Sequence, residues 1–205
     1  MKKKVLDAAH KHLRKDTRMR AAMKKLKLDI TRRSSDPFES LLRSIIYQQL
    51  SGKAASTILN RVLALYGGKY PSPEAILKTS DAKLRGCGLS TSKTNYIKDL
   101  AKRFTDGTIV PKKFSKMTDE EIREHLIVVK GVGRWTADMF LMFTLYRPDV
   151  LPTGDLGVQK GLQKLFGLKS LPDPKKMEKL AQVWVPYRTV ASYYLWRIAD
   201  GDTDW

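Results

Sequence analysis

Leu126-Ile127-Val128-Val129-Lys130-Gly131-Val132-Gly133-Arg134-Trp135-Thr136-Ala137 joins the end of one apolar helix to the start of another. Upstream, Thr118-Asp119-Glu120-Glu121 has the capping-box spacing and opens the first helix, whose segment runs to Val129. Downstream, a helical pattern resumes at Arg134 and continues to Tyr146, stopping before Pro148. The connection is short, and its two glycines let the backbone bend tightly. Gly131, Gly133 and the opening turn of the next helix then direct N–H groups outward, which makes a ready anion site of the kind that takes a phosphate. A G-x-G alone fits any helix–helix turn. The apolar helix end before it and the basic residue with Thr136-Ala137 after it make the string more specific.

Outward from this hairpin the pattern stays helical. Val5, Leu6, Ala9 and Leu13, then Met19, Ala22, Met23 and Leu26, recur at helical spacing and predict two short amphipathic helices. Asp36-Pro37-Phe38-Glu39 is a helix start with an Asp cap, Pro at the first position and Glu at the third. Further helices are expected over 52–66, over 92–104, near 155–166 and 173–183, and from Pro186 to Asp200-Gly201, with short helical turns after Pro73 and Ser80. Thr108-Ile109-Val110 is the best strand candidate and is too short to found a sheet. The fold class is all-α, with nine to eleven helices. Residues 1–35 read as a basic helical arm packed on a core of 36–205, with the hairpin at about 118–146.

The 205 residues carry 39 Lys and Arg against 21 Asp and Glu, a net +18, with 42% hydrophobic residues. That apolar share supports a real core and excludes a wholly disordered basic tail. Residues 1–35 hold 13 Lys and Arg against three Asp, so more than half of the excess sits there. The arm is either a solvated basic surface or a tracker of phosphates, whose binding would weaken steeply with salt. No stretch approaches a membrane span and no signal-peptide core follows Met1-Lys2-Lys3-Lys4, so a soluble intracellular protein is expected. Cys87 is the single cysteine and cannot by itself hold zinc or an iron–sulfur cluster. His10, His12 and His125 show no metal-ligand spacing. Nucleic acid is the leading partner for such a surface, although charge alone does not separate DNA from RNA or an anionic membrane.

Five separated motifs, in order, carry a family resemblance: Asp36-Pro37-Phe38-Glu39, Tyr47-Gln48-Gln49-Leu50-Ser51-Gly52-Lys53-Ala54-Ala55, the hairpin, Pro152-Thr153-Gly154-Asp155, and Pro186-Tyr187-Arg188-Thr189-Val190-Ala191-Ser192-Tyr193-Tyr194-Leu195-Trp196-Arg197. Over roughly Asp36 to Asp200 the chain resembles the helix–hairpin–helix DNA glycosylases, and among them the compact 3-methyladenine type II enzymes. The resemblance implies two helical subdomains flanking a cleft. It implies a monomer acting on double-stranded DNA with alkylated bases, in the cytoplasm and nucleoid or the nucleus. It implies no catalytic cofactor, and a Na+ or K+ ion at the hairpin held by the backbone carbonyls of Ile127, Val129 and Val132. Lys130 departs from the pattern, since the family's hairpin usually has Pro there.

Asp155 in Thr-Gly-Asp-Leu reads by itself as a helix N-cap. The resemblance places the family's essential carboxylate there, and the two roles are compatible. Cleaving an N-glycosidic bond develops positive charge on the sugar, which a buried carboxylate stabilises while it aligns or deprotonates water. A cationic alkylated purine leaves without a strong general acid, so one carboxylate suffices. In bifunctional relatives a lysine just after the hairpin glycines attacks the sugar. Trp135 stands at that position and has no amine to offer, which implies a monofunctional enzyme without strand-cleaving lyase activity.

A base inside a duplex must be flipped out to be cut, and a cationic base stacks well on electron-rich rings. Trp135 and Trp196 match base-pocket positions of the family, with Tyr47, Trp184, Tyr187 and Tyr193 as weaker candidates; core packing explains any one of them equally well. The wedge that fills the gap would be Gln49, Leu50 or Ser51, and the sequence does not choose among them. Lys130, Gly131, Gly133, Arg134, Thr136, Lys53, Lys93 and Lys160 are candidates for phosphate contact. Met139 is a candidate for shaping the pocket. Two other readings stay open: a non-catalytic helix–hairpin–helix module that senses distorted DNA, and an RNA-binding helical protein. Neither needs Asp155 among aromatics.

Overall fold

The computed structural model describes residues 1–26, 28 and 36–201, and among these there is no strand. The end of the basic arm, 29–35, lies outside the described residues. Twelve α-helices and two 3-10 turns are present among the described residues, one helix more than expected. The two six-residue segments after Ser72 and Ser80 each close a helix of their own under a serine cap. Thr108-Ile109-Val110 forms no strand: Ile109 is buried as a single anchor, its amide bonded to the Arg103 carbonyl at 2.8 Å.

Local capping explains where most helices begin. Asp36, Ser51, Ser90, Asp155 and Asp173 each accept a backbone N–H three residues on. Thr118 and Glu121 complete the reciprocal capping box. Each such cap is worth about 1 kcal/mol, so the starts are set by sequence-local chemistry. Several ends differ from expectation by two or three residues, two of them near the site. The helix after the hairpin stops at Phe143 rather than Tyr146, and Tyr146 takes a left-handed φ of 54°. Pro186 does not open the last helix: it follows a cis peptide bond, and the helix begins at Arg188.

The chain forms two compact units, one from Met1–Arg33 with Leu141–Trp205 and one from Ser34–Phe140. In the first, α1 (Lys3–Leu13) and α2 (Thr17–Lys25) contribute Ala9, Leu13 and Met19 to the interior, so the arm's first 26 residues are partly core. They pack with α10 (Leu156–Phe166), α11 (Pro174–Ala181) and α12 (Arg188–Asp200) around the fully buried Trp184. Its indole N–H donates to Asp16 Oδ2 at 2.9 Å, which makes Trp184 a core residue rather than a stacking surface.

In the second unit, α7 (Thr91–Thr105) is the hub. It packs against α3 (Pro37–Tyr47), α5 (Pro73–Lys78) and α6 (Asp81–Gly86), while α4 (Gly52–Ala64) packs on α3. Leu41, Leu42, Ile45, Ile46, Ile97 and Leu100 are fully buried. Burial of each such side chain contributes about 1.5–3 kcal/mol, which holds α7 rigidly in place. α8 (Asp119–Ile127) and α9 (Arg134–Phe143) flank the hairpin turn.

Candidate functional site

In the first unit, the turn Pro152-Thr153-Gly154-Asp155 is closed by the Asp155 amide donating to the Pro152 carbonyl at 3.0 Å. Gln159 Nε2 holds the Thr153 carbonyl, also at 3.0 Å. Thr189 Oγ1 donates to the Arg147 carbonyl (2.7 Å) and accepts the Val150 amide (2.9 Å), and Arg188 grips both Asp149 carboxylate oxygens at 2.8 Å. These bonds fix the segment that delivers Asp155.

Asp155 is 8% exposed and stands at the start of α10. Its Oδ1 accepts two donors, the Val158 amide and the Trp196 indole N–H, each at 2.8 Å. A carboxylate so held keeps one orientation and lies at the positive end of a helix. Gly157 makes the approach possible: a Cβ there would lie 2.6 Å from Trp196 Cδ1 and 3.1 Å from Asp155 Oδ1. Trp196 stacks in turn with Phe143 (5.8 Å, 18°) and Tyr193 (5.9 Å, 24°), and those two rings stack at 5.4 Å. Tyr193 donates its hydroxyl proton to the Met142 carbonyl at 3.1 Å. An oriented carboxylate beside stacked rings can stabilise a cationic centre and hold a flat, electron-poor group.

Asp155, Trp196 and Tyr193 are thus brought together. Tyr187 stands at the N-cap of α12, its ring 5.5 Å from that of His12. Phe143 joins the stack unanticipated, because one more aromatic on an apolar helix carries no sequence signal that separates it from core. Lys160 is exposed on α10.

In the second unit, Gly131 takes a left-handed φ of 79°, and a Cβ there would overlap the Tyr96 ring. The Val132 amide closes the turn on the Val129 carbonyl at 3.0 Å, and the Lys130 amide donates to Asp99 Oδ2 at 2.8 Å. The first turn of α9 presents N–H groups that its own helix cannot satisfy. Trp135, in that turn, is 47% exposed. Thr136 is buried. Arg134 is clasped by Glu120 through two bonds of 2.7 and 2.8 Å, and Glu120 also meets Arg123 at 3.0 Å. These contacts hold the Glu120 carboxyl below the usual range, Arg134 contributing most. Arg123 continues to the buried Asp138 at 2.6 Å, whose carboxyl burial nevertheless pushes up.

Gln49, Leu50 and Ser51 form an exposed turn between α3 and α4, and Ser51 caps α4. Lys53 is exposed in the first turn of α4, and the Tyr47 ring lies under the Arg43 guanidinium at 4.0 Å. Lys93 does not reach outward. Its ammonium donates to the carbonyls of Ile46 (2.6 Å) and Gln48 (2.7 Å). Met139 is half-buried on α9. Among the described residues no group of three His, Cys, Asp or Glu side chains is placed to hold a metal ion, and no helix is long and apolar enough to cross a membrane.

Residues 42–187 match the HhH-GPD superfamily of base excision DNA repair proteins, and the chain belongs to that family. DNA-3-methyladenine glycosylase 1 of Schizosaccharomyces pombe is 37% identical over 164 residues, covering 79% of this chain and 72% of the relative. The solved S. pombe 3-methyladenine DNA glycosylase in complex with abasic DNA superimposes with a TM-score of 0.83 at 32% identity, over 97% of this chain and all of that one. A DNA-3-methyladenine glycosidase from Bacillus halodurans gives 0.84 at 37% identity, over 93% and 88%.

Proposed function

We propose that the chain is a monofunctional DNA glycosylase of base excision repair, acting as a monomer on alkylated purines of the 3-methyladenine and 7-methylguanine type in double-stranded DNA. The observation that carries this is Asp155, buried at the start of α10 with both Val158 and Trp196 donating to one oxygen. The hairpin amides of Gly131, Gly133 and the first turn of α9, with Lys130, Lys53 and Lys160, hold backbone phosphates. Ile127, Val129 and Val132 would hold a Na+ or K+ ion, whose charge adds to the pull on a phosphate. One of Gln49, Leu50 or Ser51 fills the gap that the flipped nucleotide leaves.

The extruded base stacks on Trp196. The C1′–N bond then breaks, and its electron pair leaves with the base and neutralises the base's positive charge. Asp155 stabilises the cation left on the sugar and orients a water, whose oxygen bonds to C1′ as its proton passes to the Asp155 carboxylate and on to solvent.

The test is a panel of duplexes, each with one defined lesion, read for free base. Release of 3-methyladenine or 7-methylguanine without strand cleavage is expected. Absence of release from every alkylated substrate, with binding to an abasic analogue intact, would make the chain a damage sensor instead. Borohydride should trap no enzyme–DNA adduct, because Trp135 stands where a nucleophilic amine is needed; a trapped band overturns the monofunctional reading.

Gly131→Ala should weaken DNA binding. The left-handed backbone costs a residue with a Cβ about 1–2 kcal/mol, and the Tyr96 ring must also give way. Affinity for undamaged duplex, measured by anisotropy, should fall, whereas Gly154→Ala, where an added Cβ meets nothing within 4 Å, should bind as the unaltered protein does.

A further inference from the structure

Three residues on one face of α7, Lys93, Tyr96 and Asp99, are spaced by three and touch two different functional loops. Lys93 holds the end of α3 through the Ile46 and Gln48 carbonyls. Tyr96 forms the seat that only a glycine at 131 can approach, and Asp99 accepts the Lys130 amide. Burial pulls the Lys93 ammonium below the ordinary lysine range, so its position is not that of a solvated charge. Two charge-assisted hydrogen bonds offset that burial, and the carbonyl end of a helix attracts a cation.

A direct link joins the two loops as well. Gln48 Nε2 donates to the Gly131 carbonyl at 2.8 Å and lies 3.5 Å from Thr136 Oγ1. The next residue, Gln49, takes a φ of 56°, which a residue with a Cβ adopts only where its surroundings impose it. Gln48 is therefore held at both ends, its carbonyl by Lys93 and its amide by the hairpin, and Gln49-Leu50-Ser51 is driven outward.

We propose that Gln48 and Lys93 are positioning residues that brace the 49–51 turn against the phosphate-binding hairpin, so that gripping the backbone and wedging open the stack occur as one event. The proposal rests on the glycosylase reading above for the role of that turn. Proximity of this kind matters because a misplacement of about 1 Å can cost a rate factor of about a hundred.

The test uses Gln48→Met, which keeps length but removes the amide donor, and Lys93→Met, which keeps the stem but removes the ammonium. Lys93→Arg is the conservative rescue. Each full-length variant is read three ways: affinity for undamaged duplex, brightening of a 2-aminopurine placed beside an abasic-site analogue, and single-turnover base release. The two Met variants should bind undamaged duplex within about twofold of the unaltered protein, yet lose about tenfold or more in base release and most of the 2-aminopurine brightening. Lys93→Arg should recover both. The double variant should lose little more than either single one, because residues acting as one brace are non-additive.

Unchanged 2-aminopurine brightening in Gln48→Met overturns the proposal, as does a loss of undamaged-duplex affinity equal to the loss of base release. Should Lys93→Met fail to fold, Gln48→Met and Lys93→Arg decide between the same outcomes. The 2-aminopurine signal requires no excision, so it judges the brace even if no alkylated base is released and the glycosylase reading falls.

Discussion

Asp155→Asn should abolish base release while leaving the protein folded and bound to DNA. Asn is as good an N-cap as Asp, and its carbonyl oxygen can accept the same Val158 and Trp196 donors. The substitution therefore removes a negative charge and little else. Losing one preorganised electrostatic stabiliser typically costs about 10²–10³ in rate. Single-turnover release of 7-methylguanine should fall by at least that factor, with melting temperature and affinity for an abasic analogue unchanged. Base release at an undiminished rate would remove Asp155 from the mechanism. Asp155→Ala is a poorer test, because it also deletes the cap and leaves the Trp196 indole without its acceptor, about 1–3 kcal/mol in addition.

Gly161→Ala should be the most damaging single-methyl change in the first unit. Alanine normally stabilises a helix interior over glycine by about 1 kcal/mol. Here the added Cβ would overlap the Leu195 carbonyl oxygen and lie 2.7 Å from its carbon, and backbone cannot swing aside as a side chain can. α10 and α12 would have to part, loosening the contacts of Val158, Leu162, Val190, Ala191 and Leu195. Overpacking of this kind costs about 1–3 kcal/mol, enough to reverse the propensity gain. Thermal denaturation should show a midpoint lowered by several degrees, and base release should fall with it, since Asp155 begins one helix and Trp196 sits on the other. An unchanged midpoint would mean that the two helices adjust freely.

Helix starts were legible because a cap is a local event: Asp36, Thr118 and Asp155 bond to amides only three residues away. The turn at Gly131 was legible for the same reason. What escaped reading depends on partners far along the chain. Lys93 resembled any lysine at a helix start, and only the carbonyls 45 and 47 residues earlier turn it inward. Trp184 resembled a stacking ring until its partner Asp16, 168 residues away, placed it in the core. Arg134 resembled a phosphate ligand, and Glu120 across the hairpin holds its guanidinium. Phe143 is the converse case, an apparent core residue that stacks on Trp196.

The division of the chain between its two units has a consequence for how the protein comes into being. The hairpin unit is one unbroken stretch, Ser34–Phe140, and can complete its contacts while the rest is still being synthesised. The unit with Asp155 closes only when α12 arrives to meet α1 and α2, a pairing of distant segments that carries a large loop-closure entropy and forms slowly. During that interval Ala9, Leu13 and Met19 lack the partners that later bury them. The nascent chain thus completes the hairpin unit before the loop that carries Asp155 is in place, and its window of exposure to aggregation belongs to α1, α2 and α12, the segments that meet last.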